Sequence, residues 1–198
     1  MPLALRGYIA DKRHYVNMKS LPEGSPSPAG MLEAMPSDTR SRTDLHADGL
    51  VEVVVEIPRG GRNKYEQGDD GVIWFDRRIG GPAGFPGEYG YVVGIDAEDG
   101  DALDALVLSD EATYPGVHMI ARVLGGFELR IGEDTETKLL CVPESDHHQD
   151  HLRTLADLPD NALEELDSFF VAYRMLEPGD MEVLRHLERD EVLRDWLS

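Results

Sequence analysis

The hydrophobic pattern divides the chain into a β-rich segment followed by a helical one. The run Val51 to Ile57 is dense in β-branched residues and stops at Pro58, as does a strand that ends in a turn. Further short runs of strand character are separated by turns rich in Gly and Asp, at residues 72–78, 89–95, 105–108, 117–124, 127–131 and 137–142. Short strands spaced this closely predict a barrel.

Beyond Pro159 the apolar residues recur with the period of a helix. The residues on this stripe are Leu163, Leu166, Phe170 and Tyr173. Pro178 and Gly179 break the pattern, and a second helical stretch is predicted from about residue 180 to residue 196. The expected fold class is therefore α+β and β-dominated, with C-terminal helices after the strands.

The first 50 residues differ in composition from the rest. They are rich in Pro, Gly, Ser and Met, and residues 21–30 are the clearest linker-like segment. We interpret residues 1–50 as an N-terminal extension, partly irregular, and residues 51–198 as one main domain. A length of 198 residues fits one well-buried domain with additional segments.

The net charge of −20 argues against a nucleic-acid partner, because binding to phosphate backbones requires clustered Lys and Arg. The acidity is explained either by a solvated surface or by carboxylates that hold divalent cations. No apolar run is long enough to cross a bilayer, and the N-terminus lacks the pattern of a signal peptide, so we expect a cytoplasmic protein without a membrane partner. The single cysteine, Cys141, lies in an apolar run and is expected to be buried.

Residues 98–105 carry the most informative group of carboxylates. Asp99 and Asp101 would point the same way in an extended chain, and Asp104 follows at the entry to a strand. Three converging carboxylates suit Mg²⁺, which takes few protein ligands and accepts phosphate oxygens. Taken alone, the segment is equally well read as an Asp- and Gly-rich turn between strands.

Two other segments have candidate chemistry. Lys64 and Glu66 flank Tyr65, so a strand there would place the cation and the carboxylate on one face. Such a pair more often belongs to a solvated strand face than to a site. Residues 80–91 are rich in glycine but lack the Gly-Lys-Ser/Thr ending of a P-loop. The histidines at 147, 148 and 151 lack a metal-binding pattern and are expected at the surface.

Seven short motifs occur in an order and spacing that resembles family I inorganic pyrophosphatase. They are Glu-Ile-Pro (56–58), Lys-Tyr-Glu (64–66), Phe-Asp-Arg (75–77), Pro-x-x-Tyr-Gly-Tyr (86–91), Asp-Gly-Asp-x-x-Asp (99–104), Lys-Leu (138–139) and Phe-Phe-x-x-Tyr (169–173). The resemblance covers about residues 51 to 178. It implies a small five-stranded, OB-like closed barrel with flanking C-terminal helices.

The resemblance also implies an activity: Mg²⁺-dependent hydrolysis of inorganic diphosphate to two phosphates by metal-activated water. Several Mg²⁺ ions would share the active site, with Mn²⁺ as a possible alternative. The implied partner is diphosphate or a small molecule that contains it. Bacterial members often form hexamers, so a homo-oligomer is expected.

Carried over position by position, the resemblance assigns roles to individual residues. Asp101 matches the carboxylate that helps to deprotonate the nucleophilic water, and Tyr89, Lys64 and Arg77 join it as catalytic candidates. The substrate-phosphate positions are Lys64, Arg77, Lys138, Tyr173 and Arg174. The metal positions are Asp99, Asp104 and Glu136, with Glu66 and Glu56 as outer supporting carboxylates.

Some positions depart from the family pattern. The family has an aspartate seven residues before Lys138, where this chain has Ile131, and Glu133 or Asp134 could replace it only in a reshaped loop. Glu136 and Arg174 stand where the family has aspartate and lysine. These departures leave two alternatives to diphosphate hydrolysis: phosphoryl chemistry on an organic diphosphate, and a degenerate binding or scaffold protein.

Overall fold

The computed structural model describes residues 40–68, 71–81, 83–174 and 180–198, with Arg174 described by its backbone alone. Within these ranges the chain forms three α-helices, which are α1 (Arg42–Ala47), α2 (Ala162–Arg174) and α3 (Arg189–Trp196). The strands within the same ranges are β1 (Leu50–Ile57), β2 (Asn63–Gln67), β3 (Ile73–Arg78), β4 (Glu88–Asp96), β5 (Ala102–Val107), β6 (His118–Ile131), β7 (Asp134–Pro143) and β8 (Met181–Glu188).

Five of the strands pair in a ring. The sheet runs in the order β1, β4, β5, β7, β6, and β6 pairs again with β1. The pairings are antiparallel except between β5 and β7, which are parallel. This ring, with helices at the C-terminal end of the chain, confirms the predicted β-dominated α+β class.

Burial on both faces explains the uniformly apolar run in β7. Leu139 and Cys141 lie in a cluster with residues from all five ring strands, whereas Leu140 and Val142 lie in a second cluster with side chains from α2. A strand covered on both faces has no polar face and so shows no alternation. The prediction that Cys141 is buried is confirmed.

The predicted second C-terminal helix is wrong over its first half. Residues Met181–Glu188 form β8, which pairs antiparallel with the second half of β6, and only Arg189–Trp196 is helical. Open hydrogen-bonding groups along the outer edge of β6 supply a partner that local helical periodicity cannot reveal. Pro178 and Gly179, where the helix break was predicted, lie outside the described residues.

β6 is also longer than predicted. The two runs at 117–124 and 127–131 form one strand of 14 residues that continues through Gly125 and Gly126. β7 pairs with β6 along almost the whole length of β6. β1 pairs with the first half of β6, and β8 pairs with the second half. Because the partners cover both edges, the two glycines do not end the strand.

Two features lie outside the ring. β2 and β3 form a separate two-stranded hairpin. α1 precedes β1 and buries Leu45, so the compact unit that contains the ring begins at Arg40. Among the described residues, no helix is both long and apolar enough to cross a membrane.

Candidate active site

A cavity of about 350 Å³ opens beside the ring and is lined mainly by charged side chains. Its charged residues are Glu56, Lys64, Asp99, Asp101, Asp104 and Glu136. They come from the end of β1, from β2, from the turn between β4 and β5, from β5 and from β7. The ring therefore brings together carboxylates that are up to 80 residues apart in the sequence.

The aspartate motif occupies a turn and not an extended strand. Residues 98–101 connect β4 to β5, and the backbone N–H of Asp101 donates to Asp99 Oδ1 at 3.0 Å. The premise that Asp99 and Asp101 alternate along an extended chain is therefore wrong. Both side chains still line the cavity, because the turn places them at its rim together with Asp104 on β5.

Lys138 lies at the centre of a polar network beneath the cavity. Its Nζ donates to Asp104 Oδ2 at 2.6 Å and to Glu136 Oε2 at 2.9 Å. The Tyr89 hydroxyl donates to the same Oδ2 of Asp104 at 2.5 Å, and Lys138 Nζ lies 5.8 Å from the centre of the Tyr89 ring. Only 2% of Lys138 is exposed, so its charge depends on these partners.

The network shifts the pKa values of its members in the direction that keeps their protons bound. Burial opposes the charge on Lys138, but Tyr89, Asp104 and Glu136 outweigh it and hold the lysine pKa well above its usual range. Burial, with the nearby Asp104, raises the pKa of Tyr89 well above its usual value. At neutral pH the site therefore contains a charged lysine and a protonated tyrosine.

A second cation, Lys64 on β2, lines the cavity itself. Lys64 Nζ lies 3.4 Å from Glu56 Oε2 and 3.7 Å from Glu66 Oε1, so the predicted pairing of Lys64 with Glu66 on one face is confirmed. Burial raises the pKa of Glu56, and Lys64 partly offsets that effect. Glu66 itself does not line the cavity.

Two of the remaining substrate-binding candidates, Arg77 and Tyr173, lie outside the cavity lining. Arg77 is exposed on β3, directly across the hairpin from Lys64, and contacts Asp76. Tyr173 packs its ring against Phe85 and Phe169 on the side of α2 that faces the ring of strands. The side chain of Arg174 is outside the described part of the chain.

Ile131 belongs to the apolar core and not to the cavity. It packs against the cluster that includes Leu129 and pairs across the β6–β7 hairpin with Asp134. The connecting turn is formed by Gly132, at a φ of 62°, and Glu133. Glu133 and Asp134 are exposed at this turn and do not line the cavity, so neither supplies the carboxylate that the family has at position 131.

Two polar residues of the cavity lining were not predicted from the sequence. Tyr91 and Thr137 both line the cavity. Tyr91 stands two positions after Tyr89 and directly opposite Asp104 in the β4–β5 pairing, so strand alternation could have identified it. Thr137 has no such signal, because it follows Glu136 directly and strand alternation would place the two side chains on opposite faces.

The lining fits a hard divalent cation in its chemistry. Five carboxylates face one small cavity, and oxygen ligands of this kind suit Mg²⁺, which retains several waters. Lysines contact three of them, Glu56, Asp104 and Glu136, and across the described ranges no three acidic, histidine or cysteine side chains converge as a ready ligand group. The site thus has carboxylate oxygens around a cavity but no preformed group of metal ligands.

Comparisons with known proteins agree with this geometry. The sequence model of the family described as "Inorganic pyrophosphatase" matches residues 53–195. The inorganic pyrophosphatase of Synechocystis sp. is 37% identical over 146 residues, which are 73% of this chain and 86% of that protein. That of Streptomyces coelicolor is 42% identical over 129 residues, 65% of this chain and 79% of that protein. The crystal structure of inorganic pyrophosphatase from Thermus thermophilus aligns with a TM-score of 0.70 at 33% identity, covering 90% of this chain and 93% of that one.

Proposed function

Because this chain belongs to the inorganic pyrophosphatase family, we propose that it hydrolyses inorganic diphosphate to two phosphates. The observation that supports this most directly is the cavity that joins five carboxylates with Lys64 and, beneath it, Lys138. Nothing in the relatives favours the organic-diphosphate or scaffold alternatives.

The carboxylates are the groups that would hold divalent cations, for which we propose Mg²⁺ with Mn²⁺ as a substitute. Asp99, Asp104 and Glu136 are the proposed ligands, with Glu56 and Glu66 supporting them from outside. When bound, such ions polarise phosphoryl oxygens and make an attacking water more acidic. Diphosphate is itself a polyanion, so a cavity this rich in carboxylates needs those positive charges to admit it.

Asp101 is the proposed acceptor for the proton of the attacking water. It is exposed at the rim of the cavity, and unlike Asp104 and Glu136 it has no lysine contact among the described residues. A carboxylate that no lysine contacts has its oxygens available to accept a proton from a water in the cavity. Tyr89 holds Asp104 in place through its hydroxyl.

Cationic side chains are proposed to bind the phosphate groups. Lys64 and Lys138 contact different carboxylates of the site and would neutralise charge as it develops on the departing phosphate. Arg77, Tyr173 and Arg174 are proposed to contact substrate from elements that border the cavity. For Arg77 this requires its guanidinium to turn from Asp76 towards Lys64, its neighbour across the hairpin.

The decisive experiment is phosphate release from diphosphate by the purified chain with Mg²⁺ or Mn²⁺. We expect turnover that falls at least about 100-fold in Asp101→Asn, a loss typical of removing a catalytic proton acceptor. Asp110→Asn is the matched control, because Asp110 is exposed and does not line the cavity. A folded wild-type chain without turnover in either metal would refute the proposal.

The assembly and location of the chain remain predictions. The homo-oligomer implied by the family, a hexamer in bacterial members, is checked by sedimentation velocity. The cytoplasmic location expected from the N-terminal sequence is checked by fractionating the source cells.

A further inference from the structure

A second cavity, of about 520 Å³, lies between the β2–β3 hairpin and the loop that precedes β6. Its lining differs in kind from that of the first cavity, because the described residues around it include two arginines and two tyrosines and no carboxylate. The residues that matter are Arg62, Asn63, Tyr65, Arg78, Thr113 and Tyr114. Its volume falls within the range of about 300–1,000 Å³ that is usual for small-molecule sites.

Neither arginine has an acidic partner among the described residues, although the chain has 39 acidic residues. Arg62 donates to the carbonyl oxygen of Gly81, and neither it nor Arg78 forms an ion pair with any residue that the structure describes. Arg78 stands directly opposite Asn63 in the hairpin. Guanidinium groups left unneutralised beside one cavity favour a planar or tetrahedral oxyanion, which they bind with paired hydrogen bonds.

The aromatic ring of Tyr114 is exposed on a loop that hydrogen bonds attach to the sheet. Tyr114 is 78% exposed, but Thr113 beside it donates its backbone N–H and its hydroxyl to the two carboxylate oxygens of Glu88, at 2.7 and 3.0 Å. Glu88 is fully buried on β4, and Arg59 donates to the carbonyl oxygen of Ser109 at the start of the same loop. These contacts fix the loop, so the Tyr114 ring stays exposed to solvent beside the cavity.

We propose that this cavity binds an organic phosphate with a planar ring, of which a nucleoside monophosphate is the simplest example. The phosphate would lie between Arg62 and Arg78, and the ring would stack on Tyr114. The site is separate from the carboxylate cavity and does not depend on diphosphate hydrolysis. It adjoins that cavity through β2, because Asn63 and Tyr65 flank Lys64 in the sequence.

The test is calorimetric titration of the full chain with AMP, in buffer that contains EDTA so that divalent cations do not contribute. We expect binding to weaken at least about tenfold in Arg78→Ala and in Tyr114→Ala. Tyr114→Phe retains the ring and should bind like the wild type. Arg153→Ala is the matched control, since Arg153 is exposed and does not line the cavity.

Two further ligands test the phosphate-binding arginines and the stacking tyrosine one at a time. Inorganic phosphate and adenosine should each bind at least about tenfold more weakly than AMP, because each lacks one half of the recognition. The proposal is overturned if the wild type does not bind AMP, if phosphate binds as tightly as AMP, or if Arg78→Ala and Tyr114→Ala bind normally. Circular dichroism checks that the variants are folded, as expected for two exposed positions.

Discussion

At the scale of single residues, Ile131 packs against the core at a position where the family resemblance implies an aspartate. Paired residues on neighbouring antiparallel strands project to the same face, so Ile131 shares a face with Leu129 and Glu136 on the β6–β7 hairpin. Isoleucine at this position packs against the apolar cluster. An aspartate there would instead extend the row of carboxylates that includes Glu136.

We expect Ile131→Asp to bind Mg²⁺ more tightly than the wild type, because it adds a carboxylate on the face of Glu136. The same change removes apolar contacts and should lower the free energy of unfolding by about 1–2 kcal/mol. Ile131→Asn is the matched control, with similar size but no charge. Equal Mg²⁺ affinity in the Asp and Asn variants, measured by calorimetry, would show that the ion lies out of reach of this position.

Lys138 is the residue on which the site's electrostatics depend most. Lys138→Met should reduce kcat/KM at least about 100-fold, because it removes the buried positive charge that is proposed to bind a substrate phosphate and that contacts Asp104 and Glu136. The free energy of unfolding of the Lys138→Met variant should fall by about 1–3 kcal/mol. This loss is smaller than that for breaking a fully buried ion pair, because Asp104 and Glu136 are both partly exposed.

Arg130→Met serves as the control for Lys138→Met. Arg130 lies on β6 and pairs with Glu182 at the surface, where an ion pair contributes about 0–1 kcal/mol. Urea unfolding and diphosphate turnover should both remain close to wild type in Arg130→Met. A similar loss in the two variants would mean that Lys138 acts only through the stability of the β6–β7 hairpin.

At the scale of elements, the connection between β7 and α2 contains a turn that is stabilised by hydrogen bonds to one carboxylate. Asp157, in the short 3₁₀ turn Leu155–Asp157, accepts hydrogen bonds from the backbone N–H groups of Arg153 and Thr154, at 3.0 and 2.8 Å, and from the Thr154 hydroxyl. The bonds from Arg153 and Thr154 lower the pKa of Asp157 below its ordinary value of 3.8. The turn fixes the direction in which the chain enters α2.

The pH dependence of this contribution has a definite sign. The folded-state pKa lies below the unfolded value, so the stabilisation is present above about pH 4 and is lost as the pH falls below it. Asp157→Asn should therefore lose less stability than the wild type between about pH 5 and pH 3. The urea concentration at the midpoint of unfolding, measured at about pH 5 and about pH 3, tests this expectation. Asp160→Asn, at an exposed position, is the control. Parallel midpoint curves for wild type and Asp157→Asn would contradict it.

At the scale of the whole molecule, the ring and its two apolar clusters lie within residues 40–198 as far as the structure describes the chain. The compact unit begins at Arg40, before the boundary at residue 51 that composition suggested, because Leu45 and Leu50 are buried. The N-terminal extension was predicted over residues 1–50, of which residues 1–39 lie outside the described part of the chain, and it stays a prediction there.

A chain of residues 40–198 should therefore unfold cooperatively and hydrolyse diphosphate with a kcat within about twofold of the full-length value, since the cavity residues all follow position 55. Urea unfolding followed by fluorescence, together with phosphate release, tests both expectations. An insoluble or inactive fragment would show that the first 39 residues contribute to folding or catalysis.

The sequence by itself determined the type of most elements and the identity of the chemistry. β-branched runs specify strands because their side chains fit a pleated, half-buried surface, and this pattern located most of the strands within a few residues. The order of motifs such as Asp-Gly-Asp-x-x-Asp indicated the family. Both kinds of information are local, or depend only on order along the chain.

Only the tertiary structure decided which of these residues meet. The free edge of β6 makes residues 181–188 a strand, although their apolar spacing also suits a helix. The parallel pairing of β5 with β7 places Asp104 directly beside Lys138, a contact across 34 residues that no local pattern contains. Arg77 does not line the cavity, whereas Lys64, directly opposite it in the β2–β3 hairpin, does. Contacts of this kind depend on which strand edges and faces remain available after the rest of the chain has packed.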